Sequence, residues 1–256
     1  HIGHNSNGAN KPRPDDGARA QPKPRDRQPE NTKSDPADGT PNQNKTTGGD
    51  PVDVASGQVS ETRTDIAIPG TIPLVLTRSY APGREGIQGR HWAGTWAQHL
   101  VVNGPEIIYQ DDEGVLITFH APNEQVNATN IRFPHLTLAG ERSGMLYVFD
   151  RRSQTFTIFE HRIRNRVLLS RLQDRNGNRI RFVYDESGLT EVLHSDGFSL
   201  SVESRDMVIR RAVLNAPGST DCGFVWNYTE TNILSESISS QTGTLRYTYD
   251  EQERLT

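Results

Sequence analysis

Apolar and polar residues alternate with a period of two through most of the chain. The alternation is clearest in six short segments that are rich in β-branched or aromatic residues and bounded by turn residues: 115–119, 145–149, 155–159, 179–184, 198–202 and 245–249. A period of two places successive side chains on opposite faces of a strand. We find no convincing amphipathic helix with the 3.6-residue period. The pattern therefore predicts an all-β fold built as an antiparallel hairpin meander.

Two turns between these segments predict hairpins. Asn176-Gly177 joins a strand over residues 168–174 to a strand over residues 179–184. Because both turn residues tolerate a positive φ, this pair predicts a type I′ turn. Asp196-Gly197 predicts a second hairpin, between residues 191–194 and the strand that begins at Phe198.

An aromatic residue, a β-forming residue, a second aromatic residue and then Asp or Asn recur four times. The four units end in the pairs Phe149-Asp150, Tyr184-Asp185, Trp226-Asn227 and Tyr249-Asp250. The two aromatic residues of a unit share one face of a strand. The Asp or Asn is predicted to end that strand and to accept backbone N–H groups in the following turn. Since stacked repeats bury a face only against their neighbours, these degenerate repeats predict a wall that needs further units beside it.

The first 48 residues lack this alternation. They contain no Val, Leu, Met, Phe, Tyr or Trp, and seven prolines lie among Gly, Asn, Asp, Lys and Arg. Such a segment buries too little apolar surface to offset the entropy of ordering it, so it is predicted to be a disordered linker. Because the chain begins with His1, we also expect a fragment or a processed product.

Charge and cysteine content narrow the function classes. Residues 50–256 hold 20 of the 28 basic residues and 26 of the 32 acidic ones. This balance argues against a nucleic-acid interface, which needs a clustered positive face. No apolar run approaches the ~20 residues of a membrane helix. The single cysteine, Cys222, excludes an internal disulfide and a multi-cysteine metal site.

Two polar clusters hold residue types found in active sites, but their spacing favours structural roles. His194-Ser195-Asp196 contains the residue types of a hydrolase triad, yet neighbours on one strand and turn do not converge. The stretch from Asp111 to Gly114 lacks the alternating ligands of a calcium loop and favours an acidic hairpin turn. A glycosidase needs two carboxylates at a fixed separation of ~5–10 Å, and the sequence singles out no such pair.

The candidate metal-binding, thiol and sugar-stacking residues also favour structural roles. The pair His1 and His4 lies in the predicted linker, and the pair His91 and His99 has no further ligand in view, whereas a structural zinc site needs four. Cys222 has no activating neighbour. The sequence therefore predicts no catalytic residue, no metal and no cofactor. The aromatic residues that could stack on sugars are already assigned to packing between repeats by their period of two: Trp92, Trp96, Trp226, Tyr184 and Tyr249.

The segment after the linker resembles a known family. Residues 49–57 read Gly-Asp-Pro-Val-Asp-Val-Ala-Ser-Gly, and related stretches follow at 64–70, 74–80 and 86–92. Together they resemble the N-terminal domain of bacterial Rhs (rearrangement hotspot) proteins, although His91 stands where that family often has glycine. The Tyr-Asp units resemble the YD repeats of the same family, which also occur in toxin-complex subunits and teneurins. The residues of this opening motif are Asp50, Pro51, Val52, Asp53, Gly57, Pro69, Gly70, Tyr80 and Trp92.

The resemblance implies a fold and a role. Rhs proteins form a hollow β-cocoon that encloses a variable C-terminal toxin and is exported from bacteria to rival cells, often by a type VI secretion system. Residues 1–48 would then be a linker, 49–140 the N-terminal Rhs domain, and 141–256 the YD-repeat sheet at the start of the shell. The implied partners are the rest of the shell, the enclosed toxin and secretion-tip proteins, with no nucleic acid and no membrane span. Catalysis is not expected in this part of such a protein.

Two other functions stay open on the residues alone. One is a carbohydrate- or cell-surface-binding β-module, and the less favoured one is a glycosidase on a β scaffold. Only 32% of the residues are hydrophobic. This low content suits the wall of a hollow shell, in which both faces meet polar surroundings, better than a barrel with a filled interior. We also expect the last predicted strand, near Tyr249, to present an edge without a partner.

Overall fold

A computed structural model describes residues 61–123, 125–218 and 222–256. These residues form eighteen strands and no helix, which confirms the predicted all-β fold, and every pair of named strands is antiparallel. Within the described ranges, no helix has the length and apolarity needed to cross a bilayer. The strands are β1 Thr62–Ile68, β2 Leu74–Gly86, β3 Gly89–Gly94, β4 His99–Asn103, β5 Glu106–Gln110, β6 Leu116–His120, β7 Ala128–Thr129, β8 Leu136–Gly140, β9 Leu146–Asp150, β10 Thr155–Ile163, β11 Arg166–Asp174, β12 Arg179–Asp185, β13 Gly188–His194, β14 Ser199–Arg205, β15 Val208–Asn215, β16 Gly223–Tyr228, β17 Leu234–Ser239 and β18 Gly243–Arg246.

The first three strands form a separate sheet, called the opening sheet below. In β2, alternate residues point to one side, where Leu74, Leu76 and Arg78 are all fully buried. β2 and β3 form a hairpin in which Tyr80 lies opposite Trp92. The buried side of the opening sheet is therefore apolar, with one arginine among the apolar residues.

The other fifteen strands form one large sheet in which neighbours in sequence are neighbours in space. From β7 to β18, each strand pairs with the next one along the chain. Burial alternates along the strands: Ile180 and Phe182 of β12 and Leu200 and Val202 of β14 are buried, while Arg179, Arg181, Ser199 and Ser201 between them are not. One face of the large sheet covers a core, and the opposite face, called the outer face below, meets solvent.

The large sheet forks at β11. The first half of β11 pairs with β4, so that Leu168 lies opposite His99. The second half pairs with β12, so that Leu172 lies opposite Ile180. Strands β5 and β6 extend the first branch, and β13 to β18 extend the second. The fork places the two branches around the opening sheet.

A serine hydroxyl stabilises the fork. Ser170 lies between the two halves of β11, and its Oγ accepts the backbone N–H groups of Glu160 at 3.0 Å and His161 at 3.1 Å. The same hydroxyl donates to the carbonyl oxygen of Leu168 at 3.2 Å. The pairing register of β10 with β11 shifts at this point. Ser170 therefore satisfies backbone groups that the bulge removes from the ladder.

The core lies between the opening sheet and the covered face of the large sheet. Trp92 and Trp96 are almost completely buried in it. The ring of Trp96 meets that of Phe182 edge-on, with the centroids 5.7 Å apart. At about 25 cal/mol per Å² of buried apolar surface, rings of this size are the largest single contributions to such a core.

Both predicted hairpins are present, but the predicted type I′ turn is wrong. Gly177 has φ 86°, whereas Asn176 does not take a positive φ. The backbone N–H of Asp174 donates to the carbonyl oxygen of Asn178 at 3.0 Å, and that of Gly177 donates to the carbonyl oxygen of Asp174 at 3.3 Å. These bonds fit a longer loop in which a left-handed glycine follows a type I turn. Gly197, with φ 93°, serves the second hairpin in the same way.

Of the two predicted domain limits, one lies outside the described residues and the other lies within the large sheet. The limit between residues 48 and 49 lies outside the described residues, as does the predicted linker. The limit between residues 140 and 141 falls inside one hairpin, because β8 pairs with β9 and Ala139 lies opposite Tyr147. The large sheet thus runs without interruption across that second limit.

Candidate functional site

The contact between the opening sheet and the large sheet contains a buried ion pair. Arg78 of β2 donates through Nε to Asp65 Oδ2 at 2.7 Å. Its Nη2 donates to the hydroxyl of Ser237, on β17, at 2.8 Å. Trp226 of β16 donates through Nε1 to the same Asp65 oxygen, also at 2.7 Å. One carboxylate of the opening sheet therefore connects residues of both sheets, and we call these four residues the clasp.

Two aromatic rings enclose the guanidinium of the clasp. The central carbon of Arg78 lies 5.1 Å from the ring centroid of Trp92 and 4.8 Å from that of Tyr247. Cation–π contacts of this kind strengthen when water is excluded. Burial disfavours the charged form of Arg78, but its interactions with Asp65 and Tyr247 together outweigh burial, so the pKa of Arg78 is raised. Arg78 is thus a permanently charged residue inside the core.

The tyrosine of the last Tyr-Asp pair lies against the opening sheet. Trp92 donates through Nε1 to the hydroxyl of Tyr249 at 3.0 Å, and that hydroxyl donates to the carbonyl of Leu234 at 2.6 Å. Burial raises the pKa of Tyr249, so the hydroxyl keeps the proton that it donates. Nearby, the hydroxyl of Tyr80 accepts the backbone N–H of Leu255 at 3.0 Å.

The turn after Tyr249 is held to β3 by charge. Glu253 accepts two hydrogen bonds from Arg90, at 3.2 and 2.8 Å, and its Oε2 lies 3.2 Å from His91 Nε2. The hydrogen bond with His91 and the contact with Arg90 lower the pKa of Glu253. Beside them Gly89 has φ 87°, and a Cβ there would lie 2.5 Å from the carbonyl oxygen of Asn232. This close approach requires glycine at the start of β3.

The Pro69-Gly70 loop between β1 and β2 docks on the β13–β14 hairpin. Asp196 accepts the backbone N–H of Thr71 at 2.8 Å and its hydroxyl at 2.6 Å. His194 Nε2 lies 2.7 Å from the carbonyl oxygen of Ile72. A Cβ at Gly70 would lie 2.9 Å from the His194 ring, so glycine is needed for this contact too.

Side-chain hydroxyls bond to the neighbouring strand within the large sheet. Three of them donate to a backbone carbonyl fifteen residues earlier, at 2.7, 2.6 and 2.6 Å: Tyr184 to Leu169, Ser204 to Leu189, and Tyr249 to Leu234. The first two bonds join the strands of one hairpin, β11 with β12 and β13 with β14, and the third joins Tyr249 to β17. Serine takes the place of tyrosine in one of the three.

The aspartates of three predicted units lie at turns. Asp150, Asp185 and Asp250 each accept the backbone N–H two residues later, at 2.8, 2.7 and 2.9 Å. Hydrogen bonds lower the pKa of Asp185, chiefly the one from the Ser187 hydroxyl, and they also lower that of Asp250. Phe149 is half-buried on the outer face, with its centroid 4.7 Å from that of Phe156.

The fourth predicted unit, Trp226-Asn227, is arranged differently. Trp226 is buried in the core, but Asn227 lies inside β16 and its Nδ2 donates to Glu236 at 2.8 Å. The strand ends one residue later, at Tyr228. A register shift between Asn227 and Tyr228 matches the one that precedes Tyr184. Tyr228 therefore occupies the place that the sequence pattern gives to Trp226.

Three strands of the large sheet have one edge without a partner among the described strands. β18 pairs only with β17, β7 only with β8, and β6 only with β5. All four residues of β18 are exposed, and Leu245 is among them. Beyond β18 an isolated antiparallel bridge joins Tyr249 to Leu255. Unpaired edges with exposed apolar residues are templates for further strands.

A cavity of about 300 Å³ lies at the fork, between β4, β11 and the opening sheet. Trp96, Leu168 and Met207 supply apolar lining, and burial lowers the pKa of His99 beside them. Asp206 and Met207 both have a positive φ, which non-glycine residues rarely adopt. The cavity follows from the divergence of the two branches at β11.

Similar proteins place these features in a family. Residues 49–119 match a family model described as a domain of unknown function (DUF6531). Over 216 residues, or 81% of its length, the chain is 32% identical to "Probable deoxyribonuclease RhsA" and 31% identical to "Probable deoxyribonuclease RhsB", both of Dickeya dadantii (strain 3937). The chain belongs to the Rhs family. The aligned region spans 15% of each of these Rhs relatives.

Within this Rhs chain, the polar clusters weighed above serve packing and turns. His194 and Asp196 hold the opening loop, while the hydroxyl of Ser195 accepts the backbone N–H of Arg179 at 3.1 Å. Asp111 Oδ1 accepts two backbone N–H groups of its own turn, as predicted for an acidic hairpin turn. Burial raises the pKa of Asp111 to about 6. His194 and Asp196 of the apparent triad thus share a structural role at the opening loop, while Ser195 bonds to a different strand.

The candidate metal and sugar residues are also engaged elsewhere. His91 Nδ1 accepts the backbone N–H of Gly83 at 2.9 Å, and His99 Nδ1 bonds to the carbonyl of Ala97 at 2.9 Å. His1 and His4 lie outside the described residues. The tryptophans proposed for packing are indeed buried, at 0%, 1% and 2% exposure: Trp92, Trp96 and Trp226. Among described residues, no group of three or more His, Cys, Asp or Glu could hold a metal ion.

The structure shows only part of the predicted opening motif. Asp50, Pro51, Val52, Asp53 and Gly57 lie outside the described residues. Of the others, Pro69 and Gly70 lie in the docked loop, Tyr80 in β2 and Trp92 in β3. Sequence reasoning missed the clasp. Its signal was Arg78, which continues the alternation of Leu74 and Leu76 into a buried position.

Proposed function

We propose that this chain forms the N-terminal domain and the adjoining wall of an Rhs shell that encloses a C-terminal toxin. The wall would come from β4 to β18, and the opening sheet would start or plug the shell. Its role would be steric sequestration and delivery in competition between bacteria, without catalysis in this part of the protein. We further propose that the protein is made in the bacterial cytoplasm and exported.

One observation carries this proposal: a large sheet in sequential order ends in strands that pair on one side only. A sheet of this kind gains stability when further repeats add to its edges. The fifteen-residue hydroxyl bonds tie neighbouring strands of this sheet together. The open edge at β18 suits a wall to which further strands add.

The names of the relatives fit the same proposal. They are called probable deoxyribonucleases, but the aligned region spans only 15% of their length. We therefore assign any nuclease activity of such a protein to a toxin that lies outside the aligned region. The proposed partners are that toxin, the remaining shell and the tip of a type VI secretion system.

The test uses the complete gene product that contains this chain. Electron cryomicroscopy should reveal a closed shell with density inside, and the C-terminal region should resist trypsin until the shell is denatured. The variant Asp65→Ala, which opens the clasp, should make that region cleavable, whereas Arg152→Gln, an exposed control, should not. A C-terminal region that trypsin cuts equally fast in all three proteins would refute enclosure. Saturable binding in a glycan array would favour the surface-binding alternative instead.

A further inference from the structure

Arginine is concentrated in one part of the chain. Residues 142–181 contain ten arginines, no lysine and three acidic residues, a formal net charge of +7. The whole chain, in contrast, has a net charge of −4. The segment covers β9 to β11 and the start of β12. Such a local excess of positive charge on an acidic chain can attract anions to this part of the surface.

Three of these arginines lie side by side on the outer face. Arg171 of β11 is directly opposite Arg181 of β12. Arg179 precedes Arg181 by two residues and therefore points to the same face. The three line a notch of about 360 Å³, together with Glu160 and Ser170. Like charges placed directly opposite each other in a sheet are destabilising.

No carboxylate neutralises this group among the described residues. None of the ion pairs there, judged at 4.0 Å, includes Arg171, Arg179 or Arg181. Glu160 lines the notch without pairing to them, and the hydroxyl of Ser170 is already used at the fork. The three guanidiniums thus line a notch whose one carboxylate, Glu160, forms no ion pair with any of them.

The guanidinium of Arg171 makes few contacts with the rest of the described chain. Nε of Arg171 is buried and has no hydrogen-bond partner in the described part of the chain. Its Nη2 only approaches the sulfur of Met145, at 4.0 Å. A buried N–H group without an acceptor destabilises the folded chain. An oxyanion in the notch would offset the repulsion among the three cations.

Neighbouring arginines are engaged differently, which limits the size of the site. Arg162 donates to the carbonyl oxygens of Arg142 and Gly144 at 2.6 and 2.8 Å. Arg175 donates to the side chain of Gln154 at 2.9 Å. Arg162 and Arg175 therefore do not extend the notch as free guanidiniums. A nucleic acid would need a longer track of contacts along its backbone, whereas a compact notch suits one or two oxyanion groups.

We propose that the notch formed by Arg171, Arg179 and Arg181 binds a phosphate group. The planar guanidinium fork matches phosphate oxygens in two-point contacts, which lysine cannot reproduce. Two sources share this chemistry: free inorganic phosphate, and the phosphate of a lipid headgroup at a membrane surface. The site lies on the outer face, away from the opening sheet, so it would stay accessible in a shell wall.

The test measures phosphate binding to the full chain. Inorganic phosphate, titrated at constant ionic strength against chloride, should bind saturably and raise the unfolding temperature. Arg181→Gln should weaken binding roughly tenfold, since each charged hydrogen bond contributes about 1.5–3 kcal/mol. Arg152→Gln removes the same charge from an exposed turn outside the notch and should leave binding unchanged.

A second arm separates the two sources. Vesicles of phosphatidylcholine with and without phosphatidic acid are sedimented with the chain. Binding to the acidic vesicles alone, lost in Arg181→Gln, supports a headgroup site even where free phosphate binds weakly. The proposal is overturned if neither probe binds saturably. It is also overturned if Arg181→Gln and Arg152→Gln weaken binding equally, because the effect is then one of net charge.

Discussion

Asp65 and Trp226 meet across the two sheets at 2.7 Å although 161 residues separate them in sequence. The same Asp65 oxygen also accepts from Arg78. Since the Asp65 side chain is only 8% exposed, this oxygen is shielded from water. A buried pair of this kind adds little net stability over apolar packing, but loss of one partner is costly. The clasp therefore specifies how the opening sheet sits on the wall.

Removal of the clasp carboxylate is expected to be strongly destabilising. Asp65→Ala leaves Arg78 charged and unpaired in the core, which should cost about 3–5 kcal/mol. Chemical denaturation of the full chain measures this as a shift in midpoint. The double variant Asp65→Leu, Arg78→Met should be more stable than Asp65→Ala alone, because no buried charge is left. The single variants Asp65→Leu and Arg78→Met complete the comparison. If the double variant loses as much unfolding free energy as these two single variants together, the two residues act independently and do not form the clasp.

The tyrosine hydroxyls should differ in importance. Tyr249→Phe leaves two groups unpaired, the Trp92 indole N–H and the Leu234 carbonyl, and should cost about 2–3 kcal/mol. Tyr184→Phe removes one bond, to Leu169, and should cost about 1 kcal/mol. Tyr147→Phe is the control, because the hydroxyl of Tyr147 makes no hydrogen bond among the described residues. The order of the three unfolding free energies checks this, and equal losses for all three variants would contradict it.

Glycine at position 70 is expected to be required by contact. A Cβ there would lie 2.9 Å from the ring of His194 and 3.0 Å from Asp196. Gly70→Ala should therefore displace the loop and cost about 1–3 kcal/mol. Gly223→Ala is a matched control, since a Cβ at that position meets nothing within 4 Å. Thermal unfolding of both variants provides the comparison, and a Gly70→Ala chain as stable as the control would show that the loop does not dock there.

Acid should release the docked loop. Hydrogen bonds from Thr71 lower the pKa of Asp196 in the folded chain. A lowered folded-state pKa means that its stabilisation is present above the unfolded value of about 3.9 and is lost as the pH falls through the folded value. The protection factor of the Thr71 amide, which corrects exchange for its intrinsic pH dependence, should therefore be high at neutral pH and fall progressively as the pH drops below about 4.

Asp196→Asn separates this effect from the other aspartates with lowered pKa. The variant cannot gain a proton at this position, so its Thr71 exchange should be faster than wild type at neutral pH. The two chains should then converge in acid. A constant difference between them across the whole pH range would mean that Asp196 does not titrate in contact with the loop.

Local patterns were readable from sequence because strands and turns depend on near neighbours. The six predicted segments all overlap strands, and both hairpins form where Asn176-Gly177 and Asp196-Gly197 place them. The turn type was misjudged because Asp174 accepts backbone N–H groups at 2.8 and 3.0 Å and so favours a longer loop. Side-chain capping of this kind competes with the preference of the central dipeptide.

Register changes and long-range contacts were not readable. A bulge between Asn227 and Tyr228 places Tyr228 where the sequence pattern puts Trp226. An alignment of the repeats by sequence alone does not reveal this shift of two residues. The loop that contains Gly70 docks on a hairpin far away in the sequence: Thr71 bonds to Asp196, 125 residues later. Nothing in the local sequence specifies such a distance, whereas Arg78 was a visible anomaly in the apolar alternation of β2.

The sequential order of the large sheet has a consequence for how the chain assembles. Each hairpin can form from neighbouring residues soon after synthesis, since little loop-closure entropy opposes it. The opening sheet must instead wait for β16 and β17, more than one hundred and fifty residues later in the chain. Its buried side, with Leu74 and Leu76, is therefore not fully covered until β16 and β17 have been made. During translation, β1 to β3 precede these covering strands and must dock on them late.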